Sequence, residues 1–244
     1  MRINVQPNSI YVMNTYGGYL IKKFSKNGIY MGDVETDNGK LFDWINLSTK
    51  KYGHFTFREF KIWDAIIDSN GNEVFAVKKN ENVFLIIRND LLDGIIDTLY
   101  SCDQELYGLY FDENDNLYFV QNSGKIILLK KNREILNIIN ESSTLYSGIT
   151  EILFVDNLGL VTANNTDNFI RVYDNNYSLK FKFGGEKYFD RESEDGGGGL
   201  AGFDVDDDLN IYTVDWVVNR ISIFSPIYNG NIITGYQFNK ILIQ

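Results

Sequence analysis

The feature that most constrains the fold is a β-rich pattern that recurs five times along the chain. Each copy is a short apolar run, a polar loop and a second apolar run. The copies are SIYVMNTYGGYLIKKF (9–24), EVFAVKKNENVFLII (73–87), NLYFVQNSGKIILL (116–129), LGLVTANNTDNFIRVY (158–173) and NIYTVDWVVNRISIF (210–224). Recurrence at a fixed period indicates a repeat architecture, in which each unit buries its apolar face against its neighbours.

The spacing between copies predicts the size of the repeat unit. The first loop residues of three successive copies, Lys78, Gln121 and Asn164, are 43 residues apart. That length is typical of one four-stranded propeller blade. Five blades, with insertions at about 37–60 and 184–199, account for all 244 residues. We therefore predict an all-β fold with a single five-bladed β-propeller over residues 1–244; six blades, one of them degenerate, is the less favoured alternative.

The sequence leaves the closure of the propeller open. Either each blade uses its own four strands, or the tail NKILIQ (239–244) pairs beside a strand of blade one. We expect blade one to consist of RINVQ, SIYVMN, GYLIKKF and IYMGDV, and blade five to have a third strand ending at Phe224. The stretch KIILLKKNR (125–133) is predicted to be an outer strand edge, where lysines discourage pairing between chains.

Charge and composition exclude several classes of protein. The formal net charge of −10 disfavours nucleic acid as a partner, because that affinity depends on neutralising phosphates. A single cysteine, Cys102, allows no intramolecular disulfide. The N-terminus has no apolar signal-peptide core, and no apolar run is long enough for a membrane span. We expect a soluble protein, either cytoplasmic or associated with a virion or another assembly.

The best-preserved copy carries the specific letters of a known repeat. Its sequence shows GGGGLAGFDVDDD, then LNIYTVDW, then Asn219-Arg220, then ISIF, and this order resembles an NHL repeat. The proline that usually precedes the inner strand is absent, and Ala201-Gly202 stand in its place. The resemblance implies that Asp215, Asn219 and Arg220 brace the loop between the second and third strands.

Blade four follows the same pattern more weakly. Asn164 and Asn168 occupy the positions of Asp215 and Asn219, and Phe169 replaces the arginine. NHL-like propellers include protein-binding platforms, RNA-binding platforms, lyases and lactonase-like hydrolases. The resemblance therefore implies a fold without selecting one function.

The sequence favours a non-catalytic platform for protein–protein interaction, such as a structural subunit of a phage or other multiprotein assembly. Loops between second and third strands, with the two insertions, would supply exposed aromatic and amide side chains of the kind found in interfaces. Sugar binding by the same loops stays open. The candidate binding residues are Trp216, Tyr16, Asn14, Asn122, Asn165, Asp167 and Trp44.

The main alternative is a calcium-dependent hydrolase of the gluconolactonase type. Such an enzyme would need several oxygen ligands converging on one cation. One carboxylate near the inner strand of each of four blades could supply them: Asp64, Glu105, Glu151 and Asp204. Otherwise we expect no cofactor and assign no catalytic residue, because the lone His54 and Cys102 lie in unrelated loops.

Short acidic runs between first and second strands resemble calcium loops at first sight. They are DSNGN (68–72), DENDN (112–116) and DVDDD (204–208), and none has the closing glutamate of an EF-hand. Asp and Asn side chains also hydrogen-bond their own backbone in tight turns. We therefore interpret these runs as hairpin turns without metal.

Overall fold

The computed structural model describes residues 2–13, 21–34, 61–89, 96–140, 148–185, 199–215 and 220–243. Within these ranges the regular structure is entirely β, and no helix is long and apolar enough to cross a bilayer. Twenty strands form five antiparallel sheets of four strands each. This confirms the predicted all-β class and the five four-stranded blades.

In every sheet the strands are adjacent in sequence order, so each blade is a simple meander. Blade one comprises β1 (Arg2–Gln6), β2 (Ser9–Met13), β3 (Ile21–Ser25) and β4 (Tyr30–Val34). Blade two comprises β5 (Lys61–Ile67), β6 (Glu73–Asn80), β7 (Val83–Asn89) and β8 (Ile96–Cys102). Blade three comprises β9 (Leu106–Phe111), β10 (Leu117–Gln121), β11 (Lys125–Leu129) and β12 (Ile135–Asn140). Blade four comprises β13 (Ile149–Val155), β14 (Gly159–Asn164), β15 (Phe169–Tyr173) and β16 (Leu179–Gly184). Blade five comprises β17 (Leu200–Val205), β18 (Ile211–Asp215), β19 (Arg220–Asn229) and β20 (Ile232–Ile243).

The second strands explain why the repeat is visible in the sequence. Every residue of β10, β14 and β18 is buried, as are the first five residues of β6. A strand covered on both faces must be apolar along its whole length, instead of alternating. The runs LYFVQ, GLVTAN and IYTVD have that composition, so they stand out at a constant spacing.

The chain divides into two compact units. One unit contains Met1–Lys40 and Leu153–Gln244, and the other contains Leu41–Ile152. In the second unit, blades two and three share a core in which Phe119 and Leu117 of blade three are buried with Ile86 and Val74 of blade two. The single domain over residues 1–244 stays a prediction.

In the first unit, blade five packs on both blade four and blade one. One core joins Val161, Ile170 and Phe183 of blade four to Phe203 and Phe224 of blade five. A second core joins β1–β3 of blade one to β18 and β19 of blade five, through Ile3, Ile10, Phe24, Tyr212, Val214, Ile221 and Ile223. The first and last blades are therefore neighbours.

The contact between blades one and five answers the question of closure. The tail pairs within its own blade, because β20 runs to Ile243 with Ile241 opposite Ser222. A turn of blade one approaches β20 closely at Gly28, where an added Cβ would lie 2.4 Å from the carbonyl oxygen of Leu242. Gly28 also has a φ of +81°, which favours glycine. Each described blade thus uses its own four strands.

Two local predictions were wrong. KIILLKKNR is not an outer edge: β11 covers Lys125–Leu129 and pairs with both β10 and β12. Its lysine-rich end is the turn that leads to β12. The third strand of blade five does not end at Phe224 but continues to Asn229. The predicted four strands of blade one are confirmed, whereas residues 35–60 and 186–198, which hold most of both insertions, lie outside the described ranges.

The acidic runs at 68–72 and 112–116 are hairpin turns held by their first aspartate. Asp68 Oδ1 accepts hydrogen bonds from the backbone N–H groups of Asn70 (2.9 Å) and Asn72 (2.8 Å). Asp112 repeats the arrangement with Asn114 and Asn116, both at 2.9 Å. The third run, DVDDD, is different because Asp204 belongs to β17 and the turn begins at Asp206.

We expect Asp112→Ala to lower the free energy of unfolding by about 1–2 kcal/mol, because two backbone donors and the Asn116 amide lose their acceptor. Asp112→Asn retains one oxygen acceptor and should cost about half as much. Urea unfolding followed by circular dichroism, with calcium and with chelator, measures both. If calcium raised the urea midpoint of unfolding of the wild type but not that of Asp112→Asn, the turn would bind metal, contrary to this expectation.

Candidate binding loops

Three of the candidate binding residues lie where the sequence places them, between second and third strands. Asn122 is exposed in the turn between β10 and β11. Asn165 and Asp167 are half-buried in the turn between β14 and β15. The other four candidates, Asn14, Tyr16, Trp44 and Trp216, lie outside the described residues.

The blade-four loop is held by its own polar side chains. Asn164 is buried, and its Oδ1 accepts hydrogen bonds from the backbone N–H groups of Thr166 (2.8 Å) and Asp167 (3.3 Å). Asp167 accepts the N–H of Phe169 at 3.1 Å and forms a bidentate ion pair with Arg171. The loop therefore has a defined backbone, and Asn165 is carried at its tip.

Asn168 ties this loop to the next blade. It is fully buried, and its φ of +58° lies in the left-handed region, which asparagine tolerates better than most residues. Its Oδ1 accepts the backbone N–H of Leu200 at 3.2 Å, where β17 begins. Its own carbonyl accepts the N–H of Gly185 at 2.7 Å. This asparagine fixes both the end of blade four and the start of blade five.

The position in blade five that is equivalent to Asn164 holds an ion pair. Asp215 is 1% exposed, and its Oδ2 accepts a hydrogen bond from Nη2 of Arg220 at 3.1 Å. Gly199 packs on this carboxylate so tightly that an added Cβ would lie 2.3 Å from Oδ1. The pair joins the end of β18 to the start of β19, which is the bracing role that the NHL resemblance implies. Asn219 lies outside the described residues.

In blade three the loop is anchored through its backbone. The N–H of Asn122 donates to the carbonyl of Glu105 at 2.9 Å, which links the turn to the residue before β9. The N–H of Gly124 donates to the carbonyl of Gln121 at 2.8 Å. The Asn122 side chain is exposed on this fixed turn.

Two of the four carboxylates proposed for a metal site bind a backbone amide of a neighbouring blade. Asp64 is 2% exposed, and its Oδ2 accepts the N–H of Leu109 at 2.9 Å. Asp204 Oδ2 accepts a hydrogen bond from the backbone N–H of Val5 at 2.6 Å. Its Oδ1 accepts one from the backbone N–H of the next residue, Val205, at 2.9 Å. In each unit, an inner-strand aspartate thus joins two inner strands.

The other two candidate ligands are Glu105 and Glu151. Glu105 accepts a hydrogen bond from the hydroxyl of Tyr107, and Glu151 lies half-buried within β13. Within the described ranges, no three His, Cys, Asp or Glu side chains come together as a group that could hold a metal ion. Cys102 is half-buried and its thiol donates to the carbonyl of Gln104 at 3.1 Å; burial raises its pKa. His54 lies outside the described residues.

The basic stretch is neutralised by acidic neighbours. Lys130 pairs with Glu134 at 2.9 Å, and Lys131 pairs with Asp115 at 2.8 Å. Arg133 pairs with Asp97 at 2.5 Å, and Arg88 contacts the same carboxylate. Each of these four cations therefore has a carboxylate oxygen within 3.2 Å.

Asn122, Asn165 and Asp167 lie in loops as predicted, but the sequence does not show the structural roles of Asp64 and Asp204. Both aspartates are candidate ligands by sequence, because no neighbouring residue in the chain indicates the backbone N–H group that each one binds. The Asp167–Arg171 pair could have been found, since opposite charges four residues apart flank the predicted turn of blade four.

Comparison with known proteins supports the fold. No family model and no curated protein matches the sequence. Solved β-propellers do match: a streptogramin B lyase at TM-score 0.52 and 16% identity, over 92% of this chain and 64% of the lyase. A candidate 6-phosphogluconolactonase from Bacteroides uniformis has TM-score 0.51 and 12% identity, over 97% of this chain and 68% of that one.

A third neighbour has a different biological role. The extracellular domain of a candidate hybrid two-component system from B. thetaiotaomicron has TM-score 0.57 and 13% identity, over 94% of this chain and 33% of that protein. The chain spans less than two thirds of the lyase and about one third of the sensor domain. At these identities the likeness concerns the fold alone, and that fold is the β-propeller.

Proposed function

We propose that the chain is a non-catalytic, NHL-like propeller whose loops between second and third strands bind a protein partner. The observation that carries this proposal is the internal bracing of those loops. Asn164 and Asp167 accept hydrogen bonds from backbone N–H groups of the blade-four loop, and Asp215 pairs with the Arg220 side chain across the ends of the blade-five loop. A pre-organised loop loses little conformational entropy when it binds, which favours recognition.

The side chains carried by these loops suit protein contact. Asn122 and Asn165 offer amide donors and acceptors on fixed turns, and Trp216 follows directly after Asp215. Tryptophan is enriched among residues that dominate interface energies. A structural subunit that docks onto other chains of an assembly, such as a phage particle, would use such loops.

A calcium-dependent hydrolase is the second candidate, supported by the candidate lactonase among the structural neighbours. It would require Asp64, Glu105, Glu151 and Asp204 to act as ligands. Against it, Asp64 and Asp204 each accept a hydrogen bond from a backbone N–H group of a neighbouring blade. A cation would have to compete with those hydrogen bonds, so we favour the platform.

Affinity purification from the source organism tests the platform. We expect wild-type protein to recover a partner that is lost with Asn122→Arg, Asn165→Arg and Trp216→Ala combined, because two added cations and a missing indole spoil the contact. Leu179→Arg, at an exposed position on outer strand β16, is the matched control and should retain the partner.

Calcium titration by calorimetry and ester hydrolysis distinguish the second candidate. Binding of calcium by wild-type protein, with loss of both binding and hydrolysis in Asp64→Ala, Glu151→Ala, Asp204→Ala, would replace the platform by the enzyme. A partner that the loop variant and the control retain equally would refute the use of these loops. A partner whose release follows added glycan would point to sugar binding instead.

A further inference from the structure

Exposed apolar side chains concentrate on the outer parts of blades one and five. Eight of the eleven exposed large apolar residues among the described ones belong to these two adjacent blades. Blades two, three and four contribute one each, namely Ile96, Ile135 and Leu179. The eight are Ile29, Tyr30, Met31, Ile227, Tyr228, Ile232, Phe238 and Ile241. An apolar surface with this concentration indicates an interaction site.

The last hairpin is longer than a blade requires. Pairing of β18 with β19 ends at Phe224, which lies opposite Ile211. Beyond it, residues 225–236 continue as a two-stranded ribbon, closed by the two-residue turn Gly230-Asn231. We call this segment the ribbon. Its exposed side chains include Ile227 (41%), Tyr228 (53%) and Ile232 (66%), so a polar hairpin tip does not account for it.

The outer edge of β20 is open to pairing. In the described part of the chain β20 pairs with β19 alone, and three register shifts in that pairing leave Thr234, Asn239 and Leu242 of β20 without an opposite residue. A long edge strand with exposed apolar side chains is a template for another strand, and such bulges shorten the regular stretch that can pair without preventing contact along the edge. Lys240 is the one charged residue of β20.

Charge favours a second copy of this chain as the occupant. Residues 220–244 contain no Asp or Glu, although the chain has 33 of them and a net charge of −10. Contacts between two copies through other parts of this acidic surface would bring carboxylates of both copies together, at an electrostatic cost. Contact along β20 would not.

The two ends of β20 are complementary under a two-fold axis. One end carries the ribbon, and the other carries Ile241 beside the blade-one turn, because Gly28 packs on Leu242. In an antiparallel pair of identical strands, each end lies against the opposite end of the partner. Ile232 of one copy then faces the Ile241 end of the other, and Lys240 lies across from the 234–236 part of the partner strand instead of a second lysine.

The available area suits a dimer. A large aromatic side chain presents about 150–250 Å² when fully exposed, so eight half-exposed large side chains offer roughly 800 Å² per copy. Standard stable interfaces bury about 800 Å² on each partner. We infer that two copies of this chain associate by antiparallel pairing of β20, with the ribbon of each copy on the blade-one turn of the other.

Analytical ultracentrifugation from low to high micromolar concentration tests this inference. We expect a monomer–dimer equilibrium, weakened about a hundredfold or more in Ile232→Lys, Ile241→Lys, because each dimer would bury four uncompensated ammonium groups. Both residues are exposed, so the fold should survive, which thermal melting checks. Ile135→Lys, on outer strand β12 of blade three, is the matched control and should dimerise like wild type.

A wild-type protein that stays monomeric at every concentration overturns the inference, as does a dimer that resists the double substitution. Equal weakening by the double variant and by Ile135→Lys would show a nonspecific effect of charge and also overturn it. A trimer or an open polymer would contradict the two-fold arrangement. None of these results bears on the loops, so the proposed function would stand or fall separately.

Discussion

Replacement of Asp215 by alanine should lower the free energy of unfolding by about 3–5 kcal/mol, the typical cost of breaking one partner out of a buried ion pair. The carboxylate is 1% exposed, and the Arg220 side chain that it binds is only 17% exposed. Without Asp215, a largely desolvated guanidinium loses its counter-charge. A cavity also opens beside Gly199, which packs directly on the carboxylate. Urea unfolding at neutral pH measures the loss.

Two variants separate the charge from the packing. Asp215→Asn keeps the volume and one oxygen acceptor, so it should lose less than alanine does. Asp167→Ala removes the ion pair with Arg171 in the corresponding loop of blade four. There the Asp167 side chain is 36% exposed, so solvent screens the interaction. That change should cost about 1 kcal/mol or less. Equal losses in Asp167→Ala and Asp215→Ala would show that burial of the pair does not matter.

The fold was predictable because the second strands of blades two to five are buried over most or all of their length. That burial requires runs such as LYFVQ and GLVTAN, whose spacing gives the blade length. The turns were predictable for a local reason, since Asp112 and its hydrogen-bond partners lie within five residues. The brace of blade five was also predictable, because Asp215 and Arg220 lie at the two ends of the loop between β18 and β19, only five residues apart.

Other features depend on contacts that the sequence does not display. Asp204 binds an amide 199 residues away, and Asp64 binds one 45 residues away, so both looked like free ligands. Every residue except proline has a backbone N–H group, so the amino-acid sequence does not show which of them donates to a given carboxylate. KIILLKKNR resembles an edge strand by its charges, yet it forms the third strand of blade three and is paired on both sides, with β10 and β12. The ribbon was hidden because SPIYNG resembles a loop.

The seam between blades one and five should respond to pH through Asp204. Burial raises the pKa of this carboxyl to about 6, although the N–H groups of Val5 and Val205 and the nearby Lys26 oppose the shift and Asp206 adds to it. An unfolded aspartate has a pKa of about 3.9. The folded state therefore binds the proton more tightly than the unfolded state does. Stability from this group is fully present below about pH 4 and is lost as the pH rises through about 6.

The loss between those limits is about 3 kcal/mol, since each pKa unit corresponds to 1.36 kcal/mol. Other carboxylates of this acidic chain also titrate, so the measurement is the difference between wild type and Asp204→Asn. The amide does not ionise, and it leaves one of the two backbone N–H groups without an acceptor at every pH. That second cost is independent of pH and does not affect the slope.

We therefore expect the free energy of unfolding of Asp204→Asn, relative to wild type, to rise steadily from pH 4 to pH 6.5 and then level off. Urea titrations at a series of pH values give this curve. A flat difference for Asp204→Asn would mean that its carboxylate is fully compensated by the two amides. In that case the charged form would be the stable state of the seam, and the contact between the first and last blades would not weaken at neutral pH.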